Sequence, residues 1–370
     1  MGAAAAYHLA RRGEPVVLIE QFDLGHDRGS SHGSARITRH SYADLAYAQL
    51  MPEAFRAWRE LEADAGRPLY LRTGGVSLCP AGVDYVERVT ASLAAIGVPH
   101  RRMTGRQLRR ELPVFGLADN ADVVFEPDAG MLAAAKIIRA EIELAIRHGH
   151  GSTRVLDNCP VRHIDLDGPR PVLETETGRI VADRLVLTAG PWTTRLVPDF
   201  PVPLRPTRQQ VLYFEPPATC GPAYGPGFFP VFIFMGHGPD DAFYGMPTYD
   251  GLGVKVARHG GPDTDPDAHD PVVTEEYQAL VRQFLHRCLP GLADAPISHT
   301  EVCLYTVAPD EQFRVGPLGD RPDVLVASPC SGHGFKFSCL IGRVLADLAT
   351  HGATDLSLDA WMCAPASELS

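Results

Sequence analysis

Residues 1–21 read MGAAAAYHLARRGEPVVLIEQ, and the fold is decided there. Gly2 is followed by small residues, then by Ala5, His8, Leu9 and Arg12 at helical spacing. Gly13 stands where a left-handed cap would end that helix, and Pro15 breaks the chain after it. Val16-Val17-Leu18-Ile19 is a short apolar run of the kind that forms a buried parallel strand, with Glu20 at its end. Together these form the second half of a βαβ dinucleotide-binding unit. In such a unit a glycine lets backbone approach a pyrophosphate, the helix N-terminus faces the phosphates, and an acid about 20 residues on hydrogen-bonds a ribose. Any helix–strand pair ending in Glu shows the same pattern, so on this stretch alone both readings stand. A full G-x-G-x-x-G fingerprint also needs a strand and two earlier glycines. The expectation is that Met1 is an internal methionine of a longer natural chain.

The totals narrow the class. With 370 residues, 45% of them hydrophobic, the chain is long enough for two interleaved globular domains. A net charge of −11 argues against nucleic acid as a partner. No apolar run approaches the length of a membrane span, and the first ten residues lack the basic start and apolar core of a signal peptide. Eight cysteines without paired spacing read as reduced thiols in a cytoplasm, and no metal site is expected.

Further along, residues 29–40 read GSSHGSARITRH, a flexible, donor-rich stretch with two arginines and two histidines. That composition suits an anion, and it also suits a solvated polar loop. Helices are expected over 45–65, 82–96, 104–112, 131–148, 274–288 and 338–351. Strands are expected at 71–78 (turning at Gly74-Gly75), 123–130, 153–156, 160–165, 172–182, 184–189, 201–215, 228–234, 243–247, 253–257, 300–306 and 324–327. Glu301, Cys303 and Tyr305 fall on one face of the strand at 300–306. After 324–327 comes SPCSGHGFKF and a helix, again a glycine-rich loop ahead of a helix N-terminus. The expected class is therefore α/β. A Rossmann-like domain is assembled from 1–75, 131–200 and 310–363. A mostly antiparallel substrate domain takes 76–130 and 201–309, and 364–370 is a disordered tail.

Four stretches in order, GSSHGSARITRH, GVKVARH, CLYTVAPDEQF and SGHGFKFS, resemble the monomeric sarcosine oxidase / N-methyltryptophan oxidase family. These are FAD-dependent amine oxidases of the D-amino-acid-oxidase type, and the resemblance runs over nearly the whole chain. It implies FAD held covalently through Cys303, with Tyr305 lining the substrate pocket. It implies a substrate carboxylate clamped by Arg39 and Lys336, and oxygen activated at Lys255. His259 and Tyr244 match residues on the substrate side of the flavin. His32 and Arg36 match residues whose positive charge stabilises the reduced ring, with Ser30 and Ser31 beside the cofactor. Glu20 matches the ribose acid and Gly2 the glycine at the helix start. Gly190 and Trp192 match a turn at the cofactor. Gly332, His333, Gly334, Phe335 and Lys336 match the loop near the flavin carbonyls, with His333 expected to reach both protonation states near pH 7.

The implied chemistry is oxidation of an N-methyl amino acid such as sarcosine or N-methyltryptophan. A hydride equivalent passes from the carbon beside nitrogen to the flavin, the imine hydrolyses, and oxygen is reduced to hydrogen peroxide. The alternatives are a related oxidase of a cyclic imino acid or a biosynthetic amine, and a truncated inactive flavoprotein. The expected partners are a small amino acid and oxygen, with no nucleic acid or membrane, in a cytoplasmic monomer.

Overall fold

The computed structural model describes residues 1–268, 270–328, 331–358 and 361. The expected tail at 364–370 lies outside these residues, as do Pro329 and Cys330 of the late loop.

The helix Gly2–Ala10 is buried on nearly every side, with Ala4, Ala5, Ala6, Tyr7, His8 and Ala10 all inside. Small side chains make this possible. The helices Ala134–His148 and Ser338–His351 both pack against it, and a Cβ placed on Gly342 would come within 2.5 Å of the Ala4 Cβ. Tyr7, Met51, Trp58, Ile137, Phe337 and Leu345 fill the core around this crossing. Beside the helix lie two parallel strand pairs, Val16–Ile19 with Thr153–Leu156 and Leu185–Leu187 with Arg321–Ser328. Gly2 sits at their junction, where an added Cβ would come 2.8 Å from Thr188 Oγ1 and 3.6 Å from Leu18 Cδ1.

The second body is an eight-stranded sheet. Its order is Ile297–Val307, Arg205–Phe214, Val254–Arg258, Ala242–Met246, Val231–Met235, Gly75–Cys79, Asp122–Glu126 and Arg101–Thr104. Neighbours are antiparallel except Val231–Met235 with Gly75–Cys79. Alternation along the strands gives the sheet two different faces. Leu212, Phe214, Phe232, Phe243, Val254 and Val256 point to one side, where the helix Glu275–Cys288 covers them. Phe284 of that helix stacks on Phe243 with ring centroids 4.1 Å apart. Each such buried ring contributes roughly 1.5–3 kcal/mol. Tyr213, Tyr244 and Ala257 face the other side.

A small sheet of Arg36–Thr38, Gly130–Leu132 and Tyr70–Arg72 joins the two bodies. It corrects the helix expected from Met131. Residues 130–132 are a strand paired on both edges, so helix begins only at Ala134. Long-range pairing overrides the local pattern there. The expected strand 71–78, read as turning at Gly74-Gly75, divides at that turn into pieces belonging to different sheets.

Candidate active site

The turn after strand Arg36–Thr38 is built around one carboxylate. Glu126 is 1% exposed. It accepts hydrogen bonds from the backbone N–H of His40 (2.8 Å) and Ser41 (3.0 Å), and it faces His40 Nδ1 at 2.6 Å. Burial alone would raise the Glu126 carboxyl, but the bonds from His40 and Ser41 outweigh it and hold the group below its ordinary value. The His40 ring stacks on Phe55 at 4.1 Å. The turn is thus fixed from both sides, and it presents Arg39 and Tyr42.

Lys336 approaches from the opposite end of the chain. Its amine donates to the Tyr42 hydroxyl (2.9 Å) and to the His333 carbonyl (3.0 Å). The indole of Trp58 donates to the Lys336 carbonyl at 2.8 Å, which pins the backbone. Arg39 lies over the Tyr42 ring, 4.7 Å from its centroid, and its buried Nε and Nη1 have no hydrogen-bond partner among the described residues. Burial, and then the neighbouring Arg39, drive the Lys336 amine well below its ordinary value. Two basic side chains meet here with no carboxylate partner among the described residues. A carboxylate from outside is the group that would satisfy them.

His333 touches Tyr42 OH through Nδ1 at 3.2 Å and stacks on Phe313. Burial first, then Lys336, push it down to about 3. It is therefore neutral near pH 7, which corrects the expectation of two accessible states. His259 is also held neutral, at about 4, by burial and by Lys336 and Arg39. Its ring lies 5.4 Å from that of Tyr305. Gly332 fits against both rings at φ +81°, and a Cβ there would come 2.4 Å from Tyr305 and 2.5 Å from His259. The N–H of Ser331 donates to the Thr306 carbonyl, tying the late loop to this strand.

On the sheet face beyond Tyr305 sit Cys303, Lys255, Glu301 and Arg36. The Arg36 guanidinium donates to the carbonyls of Ala35 (2.9 Å), Ser30 (2.9 Å) and His32 (2.6 Å), so the 30–32 loop wraps around it. It also lies 5.9 Å from the Phe335 ring centroid. The Ser30 hydroxyl donates to the Leu304 carbonyl, and Leu304 N–H donates to the Gly29 carbonyl. Cys303 is buried, which raises its thiol, while Arg36 and Lys255 oppose the rise without cancelling it. His32 is lowered to about 4 by burial and Arg36, so the positive charge at this place belongs to Arg36 and not to His32. Ser31, between Ser30 and His32, is exposed.

The remaining expected residues gather at the carboxyl ends of the parallel strands. Glu20 accepts from the N–H of Phe22 (3.1 Å) and lies 3.6 Å from His26. Phe22 meets Trp192 edge-on at 5.6 Å. The Trp192 indole donates to Asp267 at 2.7 Å, and Gly190 adopts φ +54°. Gly29 runs between these groups, 3.6 Å from Trp192 if given a Cβ. An acid at a strand end, the buried His32 Nε2 with no hydrogen-bond partner among the described residues, and a positive-φ glycine loop fit the two ends of an FAD.

Several residues of this site escape a motif reading. Tyr42, Trp58 and Glu126 are ordinary residues in the sequence. The one available signal is that Tyr42 follows Arg39 and His40 closely.

The sequence matches the FAD dependent oxidoreductase family over residues 1–348. It is 34% identical to monomeric sarcosine oxidase of Bacillus sp. (strain NS-129), over 96% of this chain and 92% of that protein. It is 32% identical to N-methyl-L-tryptophan oxidase of Salmonella arizonae, over 94% and 92%. In fold it is similar to NikD, an amino acid oxidase essential for nikkomycin biosynthesis (TM-score 0.83, 21% identity, 97% and 94% covered). It is likewise similar to L-proline dehydrogenase from P. horikoshii (TM-score 0.83, 21% identity, 98% and 93% covered).

Proposed function

Since this chain belongs to the FAD dependent oxidoreductase family, we propose that it oxidises an N-methyl amino acid such as sarcosine or N-methyltryptophan. Water and oxygen are consumed, and the products are the demethylated amine, an aldehyde and hydrogen peroxide. The observation that carries this reading is the pair of Arg39, half-buried with its Nε and Nη1 enclosed, and buried Lys336, which meet at Tyr42 with no anion among the described residues. They bind the substrate carboxylate and orient the N-methyl carbon. Tyr305, Tyr244 and His259 wall the pocket, and the neutral state of His259 leaves the clamp as its source of positive charge. FAD, when bound, supplies the hydride acceptor and passes the electrons to oxygen.

The residues toward the cofactor follow from the same arrangement. Glu20 holds a ribose, with Gly2, Gly190 and Trp192 around the nucleotide end. Arg36 offers fixed positive charge, and Ser30, Ser31, His32, Gly332, His333, Gly334 and Phe335 line the flavin end. Cys303 is the attachment point; Arg36 and Lys255 are the nearby charges that favour its thiolate. Lys255 presents its ammonium to oxygen. Residues 1–75, 131–200 and 310–363 hold FAD, and 76–130 and 201–309 form the amino-acid side. Six described cysteines, all free, support a reducing, cytoplasmic setting for a monomer.

The test begins with the colour of the purified protein. A flavin spectrum that stays with the protein through acid precipitation supports the Cys303 link. Peroxide is then measured with sarcosine, N-methyltryptophan, proline and pipecolate. Turnover of a cyclic substrate alone overturns the N-methyl reading.

A further inference from the structure

Lys255 lies in the interior strand Val254–Arg258 of the eight-stranded sheet, 3% exposed, and a buried ammonium without a counter-charge gives up its proton. Its amine sits 3.5 Å from Glu301 Oε2, its one ion-pair partner among the described residues. Below it the Tyr213 ring is 5.4 Å away, a favourable cation–π contact. The other groups facing the pair are also identifiable. Arg36 repels the ammonium, the Cys303 thiol lies on the same face, and His32 looks in from the glycine-rich loop. His299 Nε2 stands 3.8 Å from the second Glu301 oxygen. The loop closes tightly over the carboxylate, since a Cβ on Gly33 would come 3.0 Å from Glu301 Oε2.

We infer that Glu301 is a positioning residue for Lys255, the counter-ion that keeps the ammonium charged and fixed on the sheet face and so sets the pH range in which reduced enzyme reacts with oxygen. The inference rests on the assignment of Lys255 to the oxygen step. Three features support it. Glu301 shares a strand face with Cys303 and Tyr305, so its carboxylate is directed at the cofactor side. It is held ionised: burial would raise it, but Lys255 and Arg36 pull it below its ordinary value. Lys255 consequently stays at about 8 against burial and Arg36. Lys336, with no carboxylate beside it among the described residues, is driven well below its ordinary value. The sign follows directly. Lys255 is charged below its pKa, so the oxygen reaction slows as pH rises through it. Without the Glu301 charge, that fall moves to lower pH.

The experiment uses the flavin-loaded enzyme, reduced anaerobically and mixed with oxygen across pH 6–10. Glu301→Gln is compared with Glu301→Asp, Lys255→Met and the parent. The alkaline limb of the re-oxidation rate is expected at least one pH unit lower in Glu301→Gln, with Glu301→Asp between it and the parent. A second readout needs no turnover. In lysine-labelled protein, the NMR signal that disappears in Lys255→Met should titrate lower in Glu301→Gln by the same amount. An unchanged limb and an unchanged titration overturn the inference. If Lys255→Met re-oxidises as fast as the parent, the oxygen role of Lys255 fails instead, and the titration still decides whether Glu301 holds its charge.

Discussion

Two buried lysines in this molecule stand beside arginines, yet their surroundings differ in one respect. Lys255 faces a carboxylate, Glu301, at 3.5 Å. Lys336 faces a phenol and a carbonyl, Tyr42 OH at 2.9 Å and His333 O at 3.0 Å. Desolvation and a neighbouring arginine press on both. The first is compensated from within the fold, so its charge belongs to the protein at rest. The second is not, so its charge is completed only when an anion arrives. A permanent charge suits a task that recurs at each turnover whatever the substrate. A conditional charge suits recognition, because the site costs least when the right ligand fills it.

The largest effect is expected at the permanent charge. Lys255→Met should slow re-oxidation of the reduced enzyme by about 100-fold or more, the usual loss for a preorganised charge stabiliser. Anaerobic reduction by substrate should fall far less. Stopped-flow traces of the two half-reactions decide this, and equal losses in both would erase the distinction between the lysines. Next comes the conditional charge. Lys336→Met should weaken binding of an N-methyl amino acid by about 100-fold, the loss of one buried charge-assisted bond. It is read as a rise in the dissociation constant in an anaerobic spectral titration. Unchanged affinity would place the carboxylate elsewhere.

A smaller effect sharpens the same contrast. Since Lys336 is driven well below its ordinary value while no anion is present, a carboxylate ligand should restore its charge by drawing in a proton. Calorimetric titration in buffers of different ionisation enthalpy should therefore show uptake of a fraction of a proton above the free-site pKa and none well below it. Lys336→Met should abolish the uptake. Proton release on binding would contradict the assignment.

The two lysines themselves are legible in the sequence, because each lies in a short motif, GVKVARH or SGHGFKFS. The residues that make them different are not. Glu301 lies 46 positions from Lys255, and Tyr42 and Trp58 lie 294 and 278 positions from Lys336. Only folding makes them partners. The same applies to Glu126, which organises the Arg39 turn from 86 positions away. Local pattern does reach the helices Gly2–Ala10 and Ser338–His351, whose burial follows directly from their composition. It also reaches the strand Val16–Ile19 and its parallel pairing, but not its burial: only Val16 is buried, and Val17 is exposed. It misses the strand at Gly130–Leu132, which exists only because Arg36–Thr38 and Tyr70–Arg72 flank it. Charge states are the least legible of all. The neutrality of His32, His259 and His333 comes from burial beside cations that lie on other elements.

Glu141 supplies the control for the comparison, a buried ionisable group with no ion-pair partner among the described residues and no place in the site. It lies inside the helix Ala134–His148, 2% exposed, and its Oε1 has no hydrogen-bond partner among the described residues. Burial raises it from 4.5 to about 7. The folded state therefore binds this proton more tightly than the unfolded chain does. Stability falls as pH rises from about 4.5, and the full penalty is reached above about 7. That shift corresponds to about 3 kcal/mol, and an unpaired amide in the same place costs about 1. Glu141→Gln should therefore stabilise the protein by about 2 kcal/mol at pH 8, and should leave it no more stable than the parent at pH 4.5. Urea unfolding at the two pH values measures the difference. A gain equal at both would mean that packing, and not an uncompensated charge, sets the cost. The contrast between Lys255 and Lys336 would then need a cause other than the presence or absence of a counter-ion.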